Sequence, residues 1–129
     1  MSSEAIEVLQ NYTVSKRRCA VKLTLLEDLR ALAKRAADIL PETASVLEER
    51  AKPLEARLSE EVLELYTQIG LAEDLIRQMQ NPLFKEVLER RYMQQADYKE
   101  IAAAMHYSER HIRRLHRAAL EQLPEFISQ

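Results

Sequence analysis

The sequence predicts an all-α protein: a long N-terminal helical hairpin followed by a C-terminal three-helix unit that ends in a helix-turn-helix. Three observations carry this. The 129 residues include one glycine and four prolines, few breakers in a chain rich in Ala, Leu, Glu, Arg and Lys, which all favour helix. Apolar residues recur at spacings of three and four, not two, over two long stretches. Finally, Asp97 to Leu123 contains two cap signals around a tight turn and one strongly two-sided helix.

In chain order, Ser2 or Ser3 caps a first helix that is expected to reach about Leu40, where Pro41 stops it. Asn11 to Ser15 is poor helix sequence, so a break or frayed turn is expected there. From Lys22 onward Leu25, Leu29, Leu32, Ala36 and Ile39 set a stripe, widened by Leu26, Ala33 and Leu40, and read as core packing. Pro41 to Ser45 is the connection. Pro53 fits the first turn of the next helix or a kink within it.

The second long helix is expected to run to about Met79. Leu58, Val62, Leu65, Ile69, Ala72, Ile76 and Met79 alternate by four and three, a heptad pattern. Gly70 is its one weak point and costs about 1 kcal/mol relative to Ala. The short connection favours an antiparallel hairpin. A seam between chains fits the same heptad, and the pattern does not separate the two.

Asn81-Pro82 reads as a cap followed by proline at the first helical position. It starts a third helix whose buried face is Leu83, Phe84, Val87, Leu88 and Tyr92. Asp97 with Glu100 three residues on makes a capping box. His106-Tyr107 form the turn, and Ser108 caps the last helix. There Ile112, Leu115, Ala119, Leu120 and Leu123 make one stripe, with Arg110, Arg113, Arg114 and Arg117 opposite. Phe126-Ile127 are expected to tuck back onto the small core. The expected domains are an arm, 1–80, and a helix-turn-helix domain, 81–129.

The net charge of −2 does not announce a nucleic-acid binder, but its distribution does. Residues 1–81 hold 11 basic and 14 acidic side chains; 82–129 hold 8 and 7. Glu109 to Leu120 contains four arginines against one acid. Cys19 is the single cysteine, which excludes an internal disulfide and suits a reducing cytosol. No apolar run approaches a membrane span and MSSEAIEVL lacks a signal peptide's pattern, so a cytoplasmic protein is expected.

Enzyme signals are absent. One glycine cannot make a phosphate-cradling loop. Glu48-Glu49 and Glu60-Glu61 diverge as neighbours on a helix, and no nucleophile–base spacing occurs. His106, His111 and His116 are spaced by five, which turns successive rings about 140° apart and does not suit a shared metal ion. His116 reads as a packed residue. No cofactor is expected.

KEIAAAMHYSERHIRRLHRAAL resembles the helix-turn-helix of region 4 of bacterial primary sigma factors, through Glu100, Ile101, Ala102, Ile112, Arg113, Leu115, Ala119 and Leu120. A longer likeness, through Asn81-Pro82, Val87-Leu88, Arg91-Tyr92, Glu100-Ile101-Ala102, Tyr107-Ser108, Arg110, Leu115-His116 and Ala119-Leu120, is similar to the small phage and prophage regulators of the ArpU and RinA type. Tyr98 departs from the tryptophan these proteins often carry. The resemblance implies a sigma-region-4-like domain that binds double-stranded DNA and controls late genes. By position in the motif, Glu109, Arg110, His111, Arg113 and Arg114 are the base- and phosphate-contacting run. Arg110, Arg113 and Arg114 match guanine edges, and Glu109 can accept from cytosine. Arg117, Ser108 and Lys99 fit phosphates.

The expected partners are duplex DNA, RNA polymerase, and a second copy joined through the N-terminal helices as a homodimer. Two other readings share these parts: a packaging adaptor of the small terminase type, and a protein-interaction module docking its arginine helix on an acidic partner.

Overall fold

The computed structural model describes residues 3–124. Every regular element among them is helical: α1 (Ser3–Gln10), α2 (Tyr12–Ile39), α3 (Ala44–Arg77), α4 (Pro82–Leu88), α5 (Tyr98–Met105) and α6 (Glu109–Glu121). A 3-10 turn, Pro41–Thr43, joins α2 to α3, and a π turn, Glu89–Met93, extends α4. The break expected in the first helix falls at Asn11, whose amide still reaches Glu7 O at 3.0 Å. Ser2 and the Phe126-Ile127 pair lie outside the described residues.

The chain forms two compact units, Ser15–Thr67 and Met1–Val14 with Gln68–Gln129. The division drawn from sequence, 1–80 and 81–129, therefore separates elements that share one core. α1 and the end of α3 belong with the helix-turn-helix because their apolar residues pack there.

The Ser15–Thr67 unit is the hairpin. Lys22 pairs with Glu61, and Arg30 lies 4.0 Å from Glu55, so advancing along α2 means retreating along α3. The two helices are antiparallel. Cys19, Leu26 and Ala51 are buried, with Leu29, Ala33, Ala36, Leu47, Leu58, Val62 and Leu65 half-buried at heptad spacing. This corrects the expected stripe on α2. Leu25, Leu32, Ile39 and Leu40 are 50%, 63%, 71% and 54% exposed. A helix with one neighbour buries one seam, and the seam took Leu26 and Leu29 rather than the leucines beside them. Pro53 sits well inside α3, which begins nine residues earlier at Ala44. It ends neither that helix nor the hairpin.

In the other unit, Ala5, Leu9 and Tyr12 pack with Ala72, Leu75, Ile76, Met79, Leu88, Ala119, Leu120 and Leu123. A second cluster, Val87, Ile101, Ala102 and Ile112, fills the angle between α4, α5 and α6. Leu83, expected on the buried face of α4, is 38% exposed. The proline start and Asn81 cap turn it outward while Val87 and Leu88 take the core.

Candidate nucleic-acid interface

Local sequence chemistry sets the helix-turn-helix. Asn81 Oδ1 accepts from the amides of Leu83 (2.9 Å) and Phe84 (3.4 Å), which starts α4. Asp97 closes the capping box on α5: its carboxylate accepts from the Glu100 amide at 2.8 Å, and its own amide donates to Glu100 Oε1 at 3.1 Å. The chain leaves α5 through His106, which is left-handed (φ 61°, ψ 41°), and the Tyr107 amide returns to Ala102 O at 3.0 Å. Ser108 Oγ then accepts from the His111 amide at 3.1 Å and starts α6. The first amides of that helix have no intrahelical acceptor.

α6 is sharply two-sided. Ile112, Ala119 and Leu120 are buried, while Arg110, Arg113, Arg114 and Arg117 are exposed. Of the residues picked from sequence, Ser108, Glu109, Arg110, His111, Arg113, Arg114 and Arg117 lie on α6 or its cap, all exposed except half-buried His111. Lys99 lies in the first turn of α5, also exposed. Arg117 approaches Glu121 at 3.9 Å, with both side chains more than half exposed, so this pair holds Arg117 weakly. Arg114 Nη2 is 3.4 Å from His111 Nδ1, and the His111 ring meets the Tyr107 ring edge-on at 4.7 Å.

Tyr98 is the residue whose role the sequence did not disclose. The guanidinium of Arg91 stands 4.7 Å from its ring centroid and that of Arg113 stands 5.1 Å from it. One aromatic ring thus orients a cation on α6. The Tyr98 hydroxyl is 3.0 Å from His116 Nδ1, and the Tyr92 hydroxyl is 2.8 Å from His116 Nε2. A neutral imidazole has one donor and one acceptor nitrogen, so one hydroxyl accepts and the other donates. Burial and the nearby Arg91 charge hold His116 below its usual pKa, which favours the neutral ring. Burial, and Tyr98 nearby, push the Tyr92 hydroxyl up. These pairs join residues 18 and 24 apart, beyond any local signal.

The family model Sigma-70, region 4, matches residues 81–125, the segment from the Asn81 cap through α6. No curated protein and no solved structure matches the chain. The C-terminal segment is thus a helix-turn-helix similar to sigma region 4, and the match supports DNA binding by it. No helix of the described residues is long and apolar enough to cross a membrane.

Proposed function

We propose that this chain is a sequence-specific, double-stranded-DNA-binding transcriptional regulator that places α6 in the major groove. The observation that carries the reading is the exposed row Arg110, Arg113, Arg114 and Arg117 on the helix that follows the turn, inside the segment similar to sigma region 4. Arg110, Arg113 and Arg114 lie in the first half of α6, the part that reaches deepest in this docking mode. Arginine presents two parallel donors to guanine O6 and N7. Ser108, Lys99 and Arg117 hold phosphates and set the register, and Glu109 and His111 complete the reading edge.

The genes controlled are phage or prophage genes, on the likeness of the Asn81-Pro82, Arg91-Tyr92 and Tyr107-Ser108 segments to regulators of that kind. The protein acts in the cytoplasm as a homodimer through its N-terminal helices, on half-sites about one or two helical turns apart. A contact with RNA polymerase gives the bound dimer its effect. No enzymatic step is part of this reading.

Selection from a random duplex pool, followed by mobility-shift titration, tests it. A two-fold symmetric site is expected. Arg113→Ala weakens binding about 10- to 100-fold and blurs preference at one base pair, as loss of a bidentate contact requires. Arg117→Ala weakens all sequences alike and lowers the salt slope by about one. Binding unchanged by both substitutions, or indifference to every duplex at low salt, overturns the reading.

A further inference from the structure

We propose that one exposed face of the hairpin unit is where a second copy of this chain docks, so that two hairpins form an antiparallel four-helix bundle. The inference rests on the homodimer in the proposed function and names its surface. Its first support is an inverted burial pattern. In the Ser15–Thr67 unit, Cys19, Leu26 and Ala51 are the buried apolar residues, while Val21, Leu25, Leu32, Ile39 and Leu54 are 57%, 50%, 63%, 71% and 47% exposed. From residue 27 to residue 50 no side chain is buried. Both clusters of buried apolar residues lie in the other unit. The outer half of the hairpin has no core of its own.

The second support is spacing. Val21, Leu25, Leu32 and Ile39 repeat at four and seven residues. At 100° per residue this stripe lies about 110° around α2 from the inward line through Cys19, Leu26, Leu29 and Ala33. A helix at the corner of a four-helix bundle meets two neighbours at about a right angle, so α2 has a second seam and no neighbour within its own unit, Ser15–Thr67, to fill it. On α3 the same sense of rotation from the seam leads to Leu54. In an antiparallel pair that puts Leu54 on the same face of the hairpin as Leu32 and, from the Arg30–Glu55 pair, at a similar level.

The third support is area and charge. These five side chains leave on the order of 400 Å² per copy, and with their polar flanks two copies reach the roughly 1,200 Å² at which stable specific interfaces begin. α2 opens basic, with Arg17 and Arg18 besides the Lys22 that Glu61 already pairs, and no acid before Glu27, while residues 27–50 hold six acidic against four basic side chains. A two-fold antiparallel pairing lays the basic start of one α2 along the acidic tip of the other, which like copies satisfy twice.

Sedimentation equilibrium on the full chain without DNA reads the mass, and thermal melts over a 100-fold range of concentration read the coupling. A dimer is expected, with a midpoint that rises with concentration. Leu32→Glu with Ile39→Glu gives a monomer whose midpoint no longer depends on concentration, and Leu63→Glu, on the opposite face of the hairpin, leaves the dimer unchanged. A wild-type monomer, a ring-sized oligomer, or a Leu32→Glu/Ile39→Glu protein of dimer mass overturns the proposal. Because no DNA is present, failure of the DNA reading leaves this result untouched; a dimer that forms by another face overturns this proposal and leaves the homodimer of the proposed function standing.

Discussion

Leu9→Ala is expected to weaken the packing of α6 from more than a hundred residues away. Leu9 is fully buried and shares its cluster with Ala119 and Leu120 at the end of α6 and with Leu123 just beyond it. Burying a leucine contributes about 1.5–3 kcal/mol. Removing it from a packed site adds a cavity cost, for a total of about 2–5 kcal/mol, and about 3 is a fair centre here. In a unit of this size each kcal/mol lowers the melting midpoint by about 4–8 °C, so a drop of about 12–24 °C is expected. Hydrogen exchange decides whether the loss reaches α6. About 3 kcal/mol corresponds to a loss of protection of roughly 150-fold at amides that exchange only through opening of the whole unit. Their positions are expected to include Ile112 and Leu115. If α1 amides lose protection while those of α6 keep theirs, α1 is a detachable flap and the shared core is a misreading.

Three further outcomes follow from the site. His106→Gly relieves a left-handed conformation that costs a non-glycine residue about 1 kcal/mol, so the unit melts higher by a few degrees. Asp97→Ala removes the carboxylate that accepts from the Glu100 amide, leaves the backbone bond to Glu100 Oε1, and lowers stability by about 1 kcal/mol in denaturant titration. His116 has a folded pKa below its usual 6.5. As pH falls through 6.5 the unfolded chain takes up a proton that the folded one refuses, so stability declines below that pH and levels off once the folded ring protonates. His116→Gln removes the part of the slope that lies below 6.5 in midpoints measured from about pH 5 to 7.5.

What was legible in the sequence was local. Asn81, Asp97 with Glu100, and Ser108 act on amides two or three residues ahead, and each forms the bond its spacing announces. The two-sidedness of α6 is equally local, since it needs only the helical repeat. The break near Asn11 follows from weak helix formers alone. What the sequence hid depends on neighbours distant in the chain. α1 buries Ala5 and Leu9 beside Ala119 and Leu120, a pairing that no periodicity encodes. On α2, two apolar stripes about 110° apart were equally available, and only a single packing partner decides that Leu26 goes in while Leu25 stays out. His116 looked like a packed residue, and it is half-buried; that it spans two hydroxyls is a tertiary fact.

On the proposed reading, in which Arg113 contacts DNA, the Tyr98 ring either holds that arginine back or prepares it. The guanidinium stands 5.1 Å from the ring centroid, on an exposed side chain. At an exposed site such a contact contributes about 0.5–1 kcal/mol. A bidentate contact to a guanine edge contributes about 1–3 kcal/mol of discrimination. The weaker hold yields to the stronger, so the ring orders Arg113 in the free protein without withholding it. Tyr98 is itself fixed, through its hydroxyl on His116, which lies one turn beyond Arg113 on α6. The arrangement closes on itself: α6 carries the arginine, the ring that orients the arginine opens α5, and the histidine that anchors the ring comes again from α6. On that proposed reading, ordering the arginine in advance lowers the entropy cost of placing it on DNA, and it does so through half-buried groups, Tyr98 and His116, rather than through the exposed face of the helix.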